Sequence, residues 1–226
     1  MADGGAVSPP RLRMHWWDAP GRGAEPTRLA LTIGQVRFED VRIPFGERAQ
    51  AQAAREMTPF GQMPVLEVGG KAISQSATIM RYAARLCGMT PADAVEAAQV
   101  EEVIDFVTQD LESAALLNHL QGEEKREARK AAATDTSSTF HKLLGRLDSA
   151  LTPMVDQPLN MAHLKVFCET STFVSGFYDG FPTEESLFEP YPNITALRAR
   201  VANEPEVRAY YKDRGGLYEA FGRLAK

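Results

Sequence analysis

The chain has 226 residues, 44% apolar and 24% charged, which excludes a disordered polymer, a collagen-like repeat and a disulfide mini-scaffold. Basic residues number 25 and acidic residues 30, a net charge of −5, so the clustered Lys and Arg that nucleic acid requires are missing. No apolar run approaches the roughly 20 residues of a membrane helix. Two cysteines, Cys87 and Cys168, are too few for a disulfide framework or a zinc site. They read as reduced thiols of a cytoplasmic protein, with no metal expected.

Residues 1–10 are small and end in Pro9-Pro10, with no basic start and no apolar centre. They read as a loose tail rather than a signal peptide. Leu12, Met14 and Trp16 alternate with Arg13, His15 and Trp17, the period of a strand. A loop follows over Asp18-Ala19-Pro20-Gly21-Arg22-Gly23. Pro26, Leu29, Ala30 and Ile33 then fall at helical spacing before Gly34. Val36 to Ile43 alternates again as a second strand, and Glu47 to Met57 is an Ala-rich polar helix. Pro64 to Val68 and Lys71 to Ile73 flank Gly69-Gly70, a hairpin signal. Ser74 to Leu86 returns to helical spacing, with Gly88 as C-cap. Strand–helix–strand–helix–hairpin–helix predicts an α/β domain over residues 11–88.

From Pro91 the helical period dominates. Val100, Val103, Ile104, Val107, Leu111 and Ala114 form one stripe, with Glu101, Glu102, Gln109 and Glu112 on the other side. Gly122 to Lys130 is a charge run, read as a solvated helix face. Phe140, Leu143, Leu144, Leu147 and Leu151 make a further stripe. Leu164, Val166, Phe167 and Phe173 predict a helix buried on more than one side. Tyr191-Pro192 opens a short helix carrying Ile194, Leu197 and Val201. Such helices pack against each other, so residues 91–226 are expected to be an all-α domain.

Two segments carry chemistry. Pro64 opens a short strand, where its missing N–H costs no ladder bond. Cis accounts for only about 5–6% of X–Pro bonds, so this proline alone reads as trans; a cis bond would turn the Met63 backbone toward an extended peptide. Ser74-Gln75-Ser76 opens a helix. Its free N–H groups and a hydroxyl suit a carboxylate, while plain capping is the simpler reading.

In this order, the segments from Gly21 to Leu29, Phe38 to Ile43, Thr58 to Leu66 and Gln75 to Tyr82 resemble the cytosolic glutathione transferases, most of all the sigma class. Tyr191 to Pro205 is similar too, so the likeness runs from about residue 11 to 213. The resemblance implies a thioredoxin-like first domain, an all-helical second domain, a homodimer and glutathione as co-substrate. It makes Pro64 a cis-proline and Met63 the residue whose backbone pairs with the cysteinyl part of glutathione. Gln75 and Ser76 become the holders of the γ-glutamyl carboxylate. Gln62 and Arg55 fall where the family contacts the glycyl end. Asp105 matches the helix carboxylate that reaches the amino group of glutathione in the partner subunit.

The family's donor to the glutathione sulfur is a tyrosine, or in other classes a serine or cysteine. Counted back from Arg28 without a gap, that position is Trp17; with one extra loop residue it is Trp16. An indole N–H is a donor only and can hydrogen-bond a thiolate, whereas a tryptophan that merely fills space is the competing reading. Trp17 is the catalytic candidate on the ungapped match. The family's tryptophan near Ala51 is missing. In the second domain Asn160 keeps a helix cap, with His163 where Glu or Gln would complete the capping box. The expected activity is addition of glutathione to an electrophile; the alternative is a non-catalytic binding or scaffold protein of the same fold.

Overall fold

The computed structural model describes residues 10–21 and 23–225; residues 1–9 of the expected tail, Arg22 and Lys226 lie outside the described residues. Four strands form one sheet in the order β2-β1-β3-β4, with β1 Leu12–Trp17, β2 Glu39–Ile43, β3 Val65–Val68 and β4 Lys71–Ser74. β1 runs parallel to β2 and antiparallel to β3, and β3 pairs antiparallel with β4. The hairpin turns on Gly69 and Gly70, both at positive φ, as a tight two-residue connection demands. α1 (Glu25–Ile33) and α3 (Ser76–Leu86) cover one face, where Met14, Leu66 and Ile79 pack. α2 (Arg48–Glu56) covers the other with only Ala51 and Ala54, against Ile43. This is the thioredoxin-like arrangement.

β2 starts at Glu39 rather than at Val36. The chain leaves α1 through Gly34 and Gln35, the latter at φ 52°, and the Val36 amide donates to the Leu31 carbonyl at 2.9 Å. Val36 is thereby spent on closing the helix and cannot join the ladder.

The remainder is helical. α4 (Ala94–Phe106) begins at Asp93, whose carboxylate accepts from the Val95 and Glu96 amides, a conventional N-cap. It runs through a π-helical turn, Val107–Leu111, into α5 (Glu112–Leu116). That wider turn corrects the expected stripe. Val100, Val103, Ile104, Val107 and Leu111 are buried, but beyond the π turn the register rotates, so Ala115 is buried in place of Ala114 and Glu112 points inward. α6 (Gly122–Thr134) buries only Ala133, and α7 (Thr139–Leu151) buries its whole predicted stripe.

α8 (Met161–Phe173) is buried at every position. It packs on α4 and α9 (Pro192–Ala202) and also on α1 and α3, so the helices of the second half do not pack only against each other. Two buried aromatic pairs with Phe140, to Phe173 and Phe181, lie 5.2 Å apart edge to face. Burial of one such ring contributes about 1.5–3 kcal/mol. Two short helices, α10 (Pro205–Tyr211) and α11 (Glu219–Gly222), complete the chain. The sequence around them, rich in Tyr, Gly and charge, has no apolar stripe by which to foresee them. α10 packs against α1 of the first half.

Candidate functional site

One edge of the sheet gathers most of the residues singled out above. β1 and β3 pair Met14 with Leu66 and His15 with Val65, so the next residues, Trp16 and Trp17, lie beside Pro64 and Met63. β3 and β4 pair Val65 with Ser74, which sets Gln75 and Ser76 at the same end. The Met63–Pro64 peptide is cis, as the family likeness implied and against the reading of the proline alone. The Gln75 side-chain amide donates to Gln62 Oε1 at 3.2 Å, closing the edge between the loop before β3 and the start of α3.

The start of α3 has a particular backbone. Gln75 is its N-cap, at φ 72° and ψ 113°, a conformation that L residues seldom adopt. Its side chain makes no cap hydrogen bond, so the simpler capping reading of this segment does not hold for Gln75. Ser76 is the first helical residue, half-buried, and Gln75 is exposed. First-turn N–H groups without a side-chain acceptor, at a helix of eleven residues, favour an anion. Strain of this kind costs about 1–3 kcal/mol and persists where surrounding structure holds it.

The two tryptophans diverge. Trp17 packs with Met63 on the α2 face, beside Ile43, Ala51 and Ala54. Its ring stacks on Phe45 at 5.4 Å, and the Arg55 guanidinium lies 5.9 Å from its centroid. Trp16 lies on the opposite face with Met14, Ala24, Leu66 and Ile79. It is seated beneath the β1–α1 loop so closely that a Cβ on Gly23 would stand 2.5 Å from its Cζ2. A side chain at residue 23 would force the indole of Trp16 or the loop to shift.

Asp105 lies elsewhere, on α4, facing Arg81 of α3. Both its carboxylate oxygens accept from Arg81 Nη2 at 2.8 Å, and Glu101 stands 3.6 Å from Arg81 Nε. His15 is buried near Glu67, 3.9 Å away, and burial holds its imidazole below the ordinary value, with Arg13 adding to the effect. Among the described residues no cluster of His, Cys, Asp and Glu could hold a metal ion.

Sequence reasoning passed over a second set of residues. Glu25, Arg28 and Tyr211 are buried, and Arg42 is nearly so, directly behind the β1–α1 loop. Glu25 and Arg28 stand three apart in a helix otherwise made of Pro, Thr, Leu, Ala and Ile; this spacing within an uncharged segment was the available signal.

Comparison with known proteins agrees across both halves. Residues 12–85 match the family described as Glutathione S-transferase, N-terminal domain, and residues 109–214 match Glutathione S-transferase, C-terminal domain. A glutathione S-transferase of Anopheles gambiae is 28% identical over 209 residues, covering 91% of this chain and 97% of that one. The hematopoietic prostaglandin D synthase of Gallus gallus is 27% identical over 212 residues, with 91% and 97% covered. The solved structure of prostaglandin synthase D of Nilaparvata lugens superposes with a TM-score of 0.74 at 24% identity, covering 91% of this chain and 99% of that one.

Proposed function

Since the chain belongs to the glutathione S-transferase family, we propose that it binds glutathione at the sheet edge formed by Met63, Gln75 and Ser76 and transfers its sulfur to an electrophile. One observation carries this reading: the open start of α3 stands beside the Met63–Pro64 segment, with Gln62 and Gln75 joined between them. The Met63 main chain takes the cysteinyl part in strand fashion. Ser76, Gln75 and the first N–H groups of α3 take the γ-glutamyl carboxylate, a charge-assisted contact. Arg55 and Gln62 face the glycyl end.

A free thiol has a pKa of about 8.5, so catalysis near neutrality needs a donor that stabilises the thiolate. The candidates are the indole N–H groups. Trp17 shares the Met63 cluster and is the first choice; Trp16, beneath the loop, is the alternative. An indole in a dry setting stabilises the anion less than a tyrosine hydroxyl does, because the surrounding ring also excludes water. Conjugation is therefore slow at neutral pH and accelerates as pH rises.

The absence of a tyrosine, serine or cysteine at residues 16 and 17 favours a second reading, a binding protein that holds glutathione without turning it over. Calorimetric titration with glutathione beside a conjugation assay on a generic electrophile separates the two. Binding with turnover supports the transferase; binding without turnover supports the second reading; no binding defeats both. Trp17→Phe and Trp16→Phe, followed by thiolate absorbance, identify the donor.

The sigma-class likeness, a cytoplasmic location and a two-fold homodimer belong to the same proposal. In the dimer Asp105 serves the neighbouring site, sharing its carboxylate with Arg81. A monomer by sedimentation at micromolar concentration defeats that role. The domain division proposed is 11–88 and 91–226.

A further inference from the structure

The β1–α1 loop carries Gly21, at φ 118°, and Gly23, two residues with no side chain to restrict their torsions. Its first residues are held from behind. The Asp18 amide donates to the Ile43 carbonyl at 2.8 Å. Arg28 Nη1 donates to the Ala19 carbonyl at 3.2 Å, and Nη2 reaches the Trp17 carbonyl at 3.4 Å. Arg28 is wholly buried and is fixed by Glu25 Oε2 at 3.1 Å and Asp40 Oδ1 at 2.9 Å. Arg42 takes the other Asp40 oxygen at 2.7 Å and stands 3.4 Å from the Asp18 carboxylate.

This lattice of alternating charge ends on three tyrosines from the far end of the chain. The Tyr211 hydroxyl donates to Glu25 Oε1 at 2.9 Å. Arg42 Nη2 donates to the Tyr210 hydroxyl at 2.7 Å, and Nη1 donates to that of Tyr218. If packing were all that joined α10 to α1, apolar side chains would serve, because buried ions are poor sources of net stability. Here one of the ions, Arg28, is aimed at the main-chain carbonyls of Trp17 and Ala19, just after the two indoles. Fully satisfied polar networks of this sort specify one geometry.

We propose that Tyr210, Tyr211 and Tyr218 are positioning residues, through which the C-terminal segment from α10 to Tyr218 sets residues 17–19, where the β1–α1 loop begins, in the conformation that glutathione chemistry requires. The proposal rests on reading the neighbouring edge as a glutathione site. Its mechanism is indirect: the hydroxyls orient Glu25 and Arg42, these orient Arg28 and Asp18, and these fix residues 17–19.

The chain's two tryptophans, Trp16 and Trp17, lie at the entrance of that loop and report on it. Tyr211→Phe keeps the ring among Phe167, Tyr218 and Phe221 and removes only the donor to Glu25. Tyr191→Phe is the control, since its hydroxyl stands 2.6 Å from His141 Nδ1 in another part of the helical half. Tyr211→Phe should shift tryptophan emission to the red and weaken glutathione binding by about tenfold, the scale of one hydrogen bond misplaced in the site. Tyr191→Phe should lose stability without either change. The proposal is overturned if Tyr211→Phe keeps wild-type emission and affinity, or if Tyr191→Phe alters them equally. Should Tyr211→Phe not fold, Tyr210→Phe, at a half-buried site, is judged by the same two measurements. The emission measurement uses no glutathione. A wild type that gives no heat with glutathione therefore removes the reading of the site, while the role of the tyrosines is still decided by emission.

Discussion

Two helix beginnings in this molecule solve the same problem in opposite ways. At the start of α8 the Asn160 side chain accepts from the amides of Ala162 at 3.1 Å and His163 at 3.3 Å. The imidazole of His163 accepts the Asn160 amide on Nδ1 at 3.0 Å and donates from Nε2 to the Met154 carbonyl at 2.9 Å. The capping box is complete and buried, with histidine where Glu or Gln is usual. At the start of α3, Gln75 is exposed, strained and offers its helix no side-chain acceptor. At α8 the orphan donors are satisfied by side chains; at α3, as also at α2 and α6, no side chain caps them, and at α3 those open donors stand beside the Met63–Pro64 segment.

The comparison breaks most visibly at Asn160. Asn160→Ala leaves two buried amides without an acceptor and should cost about 3 kcal/mol of stability by urea unfolding, while glutathione affinity stays at the wild-type value. Ser76→Ala should do the reverse. It should weaken glutathione by roughly 1–3 kcal/mol in calorimetry, the scale of a hydrogen bond to a charged group, with little change in the unfolding midpoint. Gln75→Gly sharpens the contrast further. Release of the left-handed strain should raise stability by about 0.5–1 kcal/mol, and loss of the amide bond to Gln62 should lower glutathione affinity.

The smallest effect is a slope in pH. Burial holds the His163 imidazole below its ordinary value of 6.5, and the cap needs Nδ1 unprotonated. The unfolded chain therefore takes up this proton first as pH falls. The stability His163 contributes is whole above about pH 6.5 and is lost as pH drops below that toward the folded value. Arg200 is the charged neighbour that adds to the depression. His163→Gln keeps an acceptor without titrating and should flatten the slope between pH 6.5 and the folded value; an unchanged slope assigns the acid sensitivity to another group.

The sheet, its hairpin and the helices around it were legible because their signals are local. Alternation, Gly69-Gly70 and the residues before Gly88 each decide a few neighbouring torsions. The inward turn of Glu112 was hidden because a π turn leaves no mark in a 3.6-residue pattern. Once turned in, Glu112 accepts from buried Lys165, which also pairs with Glu169 at 3.0 Å. Glu112, expected on the polar side of its helix, is thus internal. α10 and α11 escaped notice because their hold on the fold is long-range: Val207, Ala220 and Phe221 are buried against distant helices, and Tyr210, Tyr211 and Tyr218 add polar contacts to β2 and α1. At the site, the types and order of residues were readable, but the face taken by each indole was not. A single loop residue decides that register, and period-2 alternation then sends neighbouring rings to opposite sides.

The contact between Trp16 and Gly23 constrains how this sequence can change over time. An alanine at 23 collides with the indole, so the glycine is neutral to lose only after residue 16 has become smaller. In the other direction, enlarging residue 16 was open only to a chain already carrying glycine at 23. The two positions are epistatic and their substitutions have an order. In a library that randomises both, survivors with a bulky aromatic at 16 should keep glycine at 23, whereas those with a small residue at 16 should accept alanine or serine there.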